Sequence, residues 1–452
     1  MSEKKYSILL FTILFSVLLL FAYLFAVERV LFEDASIAIF KLLNYKRFYI
    51  TNYRFISALI EIPALIGVKY NASVKTIIYL FSYGYFLPEL FIILILIFVL
   101  KDYMSLLILL LLLVVLNNFG FYYTYAEYHK GINLSVLFFS MLNNEDRFRE
   151  NPKVYYVCLV ALYIVILFCH PLMCIIFFFL SFYLYAEKKI DLQKLKKSAV
   201  FILITTALKT LLFRSDYDTQ KMKLSITFIK DNKMLEGFTQ QLFHHNFVFA
   251  VFFIFAIFIL IRQNKRKLLL LFSLFSFGYF IMICMLFGRA KFDYYGEYLF
   301  KPLVFFIAVI IVHQSDFKLK INQLFFAILV MISLSKIYHY RKILTDHTTR
   351  YKDILRVMHT HNIKKAIISK QQGYDFDLFD DRWASSYESV LLDKIIYNSD
   401  TSSTFCITYC LSCCIENNQE IRLFIDNDEK TYPPYFNLPM EKYIVIDSLM
   451  VK

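Results

Sequence analysis

VYYVCLVALYIVILFCHPLMCIIFFFLSFYLYAEKK, residues 154–189, decides the fold. It carries no Asp, Glu, Lys or Arg until Glu187. A single helix of that length would overshoot a bilayer core of about 30 Å. The His170-Pro171 step supplies a break, because proline removes a backbone donor and clashes with the preceding turn. The stretch therefore reads as two short membrane spans joined at a turn holding His170, followed by the basic EKKIDLQKLKK.

The rest of the chain fits that reading. Hydrophobic residues make up 59% of 452, with 50 Phe, 34 Tyr and a mean hydropathy of +0.55, more apolar surface than a soluble chain needs. The first run, Tyr6 to Val27, is too long for a signal-peptide core and lacks a small-residue cleavage site, so it reads as a retained span. The net charge of +13 sits in short loops, as the positive-inside rule requires. No basic helix or aromatic-basic platform stands apart from the spans, which argues against nucleic acid as a partner.

With MSEKK in the cytoplasm, the expected spans after the first are 76–100, 103–120, 132–143, the broken pair, 198–213, 246–261, 268–287, 299–313 and 322–338. That makes about eleven transmembrane helices over residues 1–340. The first outward loop, 28–73, includes an amphipathic stretch, RFISALIEIPALIGV, expected to lie along the interface. Residues 341–452 read as a small α/β soluble domain on the outer face: a helix feeding a strand over 350–369, a helix at ESVLLDKIIY, and strands at TFCITYC, IRLFID and KYIVID. The absence of a targeting peptide and the short loops fit a bacterial inner membrane with a periplasmic C-terminal domain.

Several polar residues stand out against this apolar background. Glu33-Asp34 follows the first span; its plainer reading is a cap on the helix ASIAIFKLL, its functional one a general base, Asp34, acting on a hydroxyl at the membrane surface. Glu127 and His129 lie in the next outward loop, either as interfacial polar residues below a Tyr belt or beside Asp34 in one cavity. Two carboxylates and an imidazole there would suit acid–base work or a divalent cation. His170 either satisfies carbonyls freed at the break or adds a polar group to that cavity.

Arg289, Lys291, Glu297 and Lys301, in RAKFDYYGEYLFKP, stand at an outward mouth where the positive-inside rule asks for no cation. They read as snorkelling side chains or as a clamp on a lipid phosphate. Arg54, Lys209 and Arg214 are weaker candidates of the same kind. His244-His245 lacks a third ligand at a useful spacing. Cys406, Cys410, Cys413 and Cys414 fall too close together for a zinc knuckle; they read as packing residues, with a disulfide as the alternative. No nucleotide-binding or hydrolase motif is present.

The chain resembles the GT-C glycosyltransferases. The resemblance rests on the acidic pair after the first span (FEDASIAIF), the amphipathic stretch 54–68, the paired spans broken at FCHPLMC, the late GEYLFKP, and an outward C-terminal domain. Lys301 stands where the late motif usually has arginine, and no WWDYG-like peptide-acceptor motif is found. The resemblance implies an inverting transfer of a sugar from a polyprenyl-phosphate donor to a lipid or glycan acceptor. Asp34 would be the base and Glu33 its aid, with Glu127 and His129 lining the acceptor or donor pocket and Lys301 and Arg289 holding the departing phosphate; Arg54, His170, Lys291 and Glu297 stand beside them as further substrate-binding candidates. No cofactor beyond the divalent cation is implied. The competing readings are a flippase of lipid-linked glycans and a non-catalytic envelope assembly protein.

Overall fold

The computed structural model describes residues 3–115, 117, 120–148, 150–213, 215, 219, 247–287, 293–314, 320–369, 384–398, 401–408, 435–438 and 443–446. Apolar runs fold as helices: α1 (Glu3–Leu24), α2 (Ala26–Val30), α3 (Asp34–Tyr45), α4 (Ser57–Lys69), α5 (Val74–Gly84), α6 (Leu87–Leu94), α7 (Tyr103–Val114), α8 (Glu127–Asn143), α9 (Pro152–Cys169), α10 (Met173–Ala186), α11 (Leu192–Leu212), α12 (Phe247–Arg262), α13 (Arg266–Phe287), α14 (Asp293–Gln314) and α15 (Lys320–Thr360). Among the described residues, five stretches are long and apolar enough to cross a bilayer: Lys4–Leu24, Val74–Val99, Pro152–Cys169, Arg266–Ile283 and Gln323–Thr360. Shorter apolar helices accompany them. The molecule is mostly helical with membrane-embedded character.

Local chemistry sets the breaks. Pro88 opens α6 and separates it from α5, and a π turn, Ile95–Val99, ends that span. Asp102 caps α7 through the Ser105 N–H (3.0 Å), and Asp191 caps α11 through the Lys194 N–H (2.7 Å). Pro171 stops α9 at His170, whose backbone is extended, as the sequence predicted. Two glycines permit close helix crossings: a Cβ on Gly84 would stand 2.0 Å from the Ile60 carbonyl oxygen, and one on Gly131 would stand 2.7 Å from the Cys169 Cβ.

One end of the bundle is stitched by polar contacts. Asp102 accepts from Ser140 (2.6 Å) and Asn144 (3.1 Å), Lys265 pairs with Glu187 (3.0 Å), and the Tyr6 hydroxyl donates to the Gln323 carbonyl. The other end is covered by a layer with its own apolar core. That layer joins α2–α5 to the last turns of α15, to α16 (Ser385–Ile396) and to a three-stranded parallel sheet. The sheet order is β2-β1-β3, with β1 Lys365–Ser369, β2 Thr404–Thr408 and β3 Ile444–Ile446. Lys365 stands opposite Thr404, and Ala366 opposite Ile444. Phe40 stacks on Phe436 at 4.7 Å and meets Tyr387 edge-on at 5.2 Å, so the first loop and the C-terminal segment form one packed body.

The boundary expected at residue 340 falls inside α15, which runs unbroken for 41 residues. In the stretch 54–68, α4 buries Ile60, Glu61 and Ala64 and packs on α5. Cys406 is buried on β2. Cys410, Cys413, Cys414, Arg214, His244, His245 and the strand expected at IRLFID lie outside the described residues.

Candidate functional site

The layered end is organised around a buried cation, Arg29, just past α1. Its Nε donates to the Phe121 carbonyl (3.0 Å) and its Nη1 to the Ser82 carbonyl (3.1 Å) and hydroxyl (2.7 Å). The guanidinium also lies over the rings of Phe121 (4.4 Å), Tyr85 (5.1 Å) and Phe86 (5.2 Å). These contacts fix the segment after α7 against α2 and α5. Thr124 adds a bond to the Arg29 carbonyl (3.1 Å).

That anchoring aims Tyr123. Its hydroxyl donates to Asp34 Oδ2, and its ring meets Phe32 edge-on at 6.1 Å. Asp34 is the first residue of α3 and is half-buried. Glu33, ahead of it, takes a left-handed φ of 46°, which side chains rarely adopt. Two contacts hold it there: Ser36 Oγ donates to the Glu33 carbonyl (2.7 Å), and the Glu33 N–H donates to Glu388 Oε1 on α16 (2.9 Å). The other Glu388 oxygen meets His347 Nε2 on α15 at 3.2 Å. A carboxylate of the C-terminal segment thus seats the turn that presents Asp34.

Arg54 and Glu127 form an ion pair at 3.6 Å, both largely buried. The charges of Arg54 and Asp34 both act on Glu127, and that of Arg54 also reaches His170. The His170 ring lies 4.6 Å from Tyr128, and its Nδ1 accepts from the Leu172 N–H (3.2 Å). Lys209 donates to the Leu167 carbonyl (2.7 Å), satisfying the freed end of α9. Asp34, Arg54, Glu127 and His170 therefore share one region.

Glu61 sits beside them, fully buried in the layer. Burial pushes its carboxyl up to about 8, against the lowering effect of the Tyr49 N–H and Tyr125 and with a further push from the Glu127 charge. The Tyr49 N–H bond is 2.7 Å, and Tyr125 holds the Tyr49 carbonyl.

Of the expected phosphate clamp, only the Lys301 side chain lies among the described residues. Lys301 lies on α14 at 1% exposure, its Nζ donating to Asn117 Oδ1 (3.0 Å). Gly120 is wedged against Asn117 and the His129 ring, so His129 and Lys301 share a buried polar nest inside the bundle rather than an open rim. Burial of Lys301 comes from its place two turns inside α14, among apolar residues on both sides. Arg289 and Lys291 lie outside the described residues, as does the Glu297 side chain. Among the described residues, no three His, Cys, Asp or Glu side chains gather as a cation site.

Sequence reasoning missed Tyr123, Glu61, Arg29, Glu388 and His347. It also missed a buried group one turn along α8: Lys130 Nζ pairs with Glu89 at 2.7 Å and donates to the Tyr85 carbonyl (2.5 Å), and Asn133 donates to the same Glu89 oxygen (2.7 Å). The tyrosine-rich FYYTYAEYHK was the available signal for Tyr123. Nothing in the order of residues announces Glu388, which is 355 positions from its partner.

No family model matches the chain, and no curated protein or solved structure shows significant similarity to it.

Proposed function

We propose that the chain is a membrane glycosyltransferase that moves a sugar from a polyprenyl-phosphate donor to a lipid or glycan acceptor. In this reading all eleven hydrophobic segments cross the membrane, the N-terminus is cytoplasmic, and the layered end faces outward from a bacterial inner membrane. Asp34 takes the proton of the acceptor hydroxyl as its oxygen bonds to the anomeric carbon. The bond from that carbon to the phosphate oxygen breaks, and its electron pair leaves on the phosphate. Arg54, beside Glu127 and His170, is the cation placed to receive that charge. Glu33 contributes through its backbone.

The observation carrying this reading is the convergence of a hydroxyl-bonded, half-buried carboxylate with a cation at one end of the bundle. The test is transfer from polyprenyl-phosphate sugars by wild type and Asp34→Asn in membranes. Loss of a general base should lower the rate by about 10²–10⁴-fold; an undiminished rate would sink the assignment.

A flippase of lipid-linked glycans is the second reading. The fully buried Glu89–Lys130 pair favours it, because ionisable residues inside a bundle often mark a translocation path. Movement of a lipid-linked sugar across proteoliposomes without any acceptor would select it.

A further inference from the structure

An open cleft of about 510 Å³ lies beside the C-terminal end of α3, lined by Lys41, Tyr45, Arg47, Phe48, Tyr49 and Ile50. It arises because Lys46 turns left-handed (φ 54°) and folds residues 47–50 back along the helix. Both lining cations rest on aromatic rings: Lys41 Nζ is 4.8 Å from the Tyr49 ring and Arg47 is 5.3 Å from that of Tyr45. Among the described residues, no carboxylate is part of the lining; the charges of Asp34 and Glu61 both act on Tyr49.

Two further observations place it. Phe48, Ile50, Tyr53 and Phe55 are exposed, and the last two pack on Phe213 and Phe168 at the ends of α11 and α9. The segment thus runs along the rim of the bundle, where headgroups sit against aromatic side chains. Lys41 also follows Asp34 by seven residues on α3. That is two turns, about 10 Å, on the same helix face.

We propose that this cleft holds the phosphate headgroup of a membrane lipid, and that this lipid is the acceptor. Lys41 and Arg47 pair with the phosphate, while Tyr45 and Tyr49 flank the polar group it carries. The assignment rests on the proposed transfer only in its second half: it sets the reacting hydroxyl about two helical turns from the phosphate.

The test counts lipids retained by the purified full-length protein, by native mass spectrometry, after equilibration with equal phosphatidylglycerol and phosphatidylcholine. Wild type should retain phosphatidylglycerol preferentially. Lys41→Gln with Arg47→Gln should lower that preference about ten-fold, the loss expected of charge-assisted bonds, while Arg356→Gln leaves it intact. An unchanged preference in the double variant overturns the cleft assignment. Displacement of the lipid by equimolar glycerol 1-phosphate overturns the lipid source in favour of a soluble phosphate. Asp34→Asn separates the two claims: it should keep the lipid preference while losing transfer. If it transfers normally, the general-base reading falls and the headgroup site remains.

Discussion

Two charged groups lie a turn apart on α8 and are built in opposite ways. The Glu89–Lys130 pair is fully buried, and Tyr85 just past α5, with residues of α6 and α8, supplies the bonds around it. The Arg54–Glu127 pair is longer, at 3.6 Å, and retains some exposure on both sides; nearby Asp34 is only half-buried. A buried charge pair can be enclosed because each partner neutralises the other, but removing one leaves the other uncompensated. The looser pair is the one that the proposed transfer calls on, while the enclosed pair ties α6 to α8.

The sharpest way to break this contrast is Lys130→Met. It should cost about 3–5 kcal/mol, the penalty for stranding a buried charge, and appear as a large fall in unfolding temperature in detergent. Arg54→Gln, in the same assay, should shift stability far less and reduce transfer instead. Equal thermal shifts in the two variants would erase the distinction.

Next comes Glu388→Ala. It leaves the Glu33 N–H without its partner, at a cost of about 1–3 kcal/mol, and loosens the turn before Asp34. Transfer should fall with the substrate KM little changed, and Glu388→Gln, which keeps an acceptor oxygen, should restore most of it. Failure of glutamine to rescue would deny the positioning role.

Glu61 sharpens the comparison through pH. Its carboxyl is raised to about 8 from an ordinary value of 4.5, so the folded protein holds a proton that the unfolded chain has released. Stability should therefore fall as pH rises from about 5 to 8, with a slope near 1.4 kcal/mol per unit, and level off above that. Glu61→Gln should flatten the profile. A flat wild-type profile would mean that the layer admits water. The smallest effect belongs to Arg356→Gln, which removes an exposed i,i+3 pair with Asp353 and should change stability by less than about 0.5 kcal/mol.

The helical, membrane-embedded class was legible because hydropathy accumulates over many residues. The break at His170-Pro171 was legible because proline acts locally. The strands at 365–369, 404–408 and 444–446 showed in their β-branched and aromatic runs. Of the candidate site, Asp34 at a helix start and the nearness of Glu127 to it could be read from the sequence. What could not be read depends on contacts between distant segments. Tyr123 reaches Asp34 across 89 positions and Glu388 reaches Glu33 across 355. Lys301 illustrates the reverse failure: a cation expected at an outward mouth, at the start of the span 299–313, is buried inside the bundle and bonds to Asn117.

The unbroken course of α15 has a mechanical consequence. At 1.5 Å per residue, its 41 residues form a rod about 60 Å long, roughly twice the thickness of a hydrocarbon core. Tyr122 grips the Ile337 carbonyl (2.9 Å), Arg341 lies 5.0 Å from the Phe25 ring, and His347 meets Glu388. With no hinge between its two halves, the rod fixes the spacing between the bundle and the layer that holds Asp34. On the proposed transfer, thinning or thickening the surrounding bilayer would then tune the reaction as a gauge tunes depth of cut, without touching a single residue of the site.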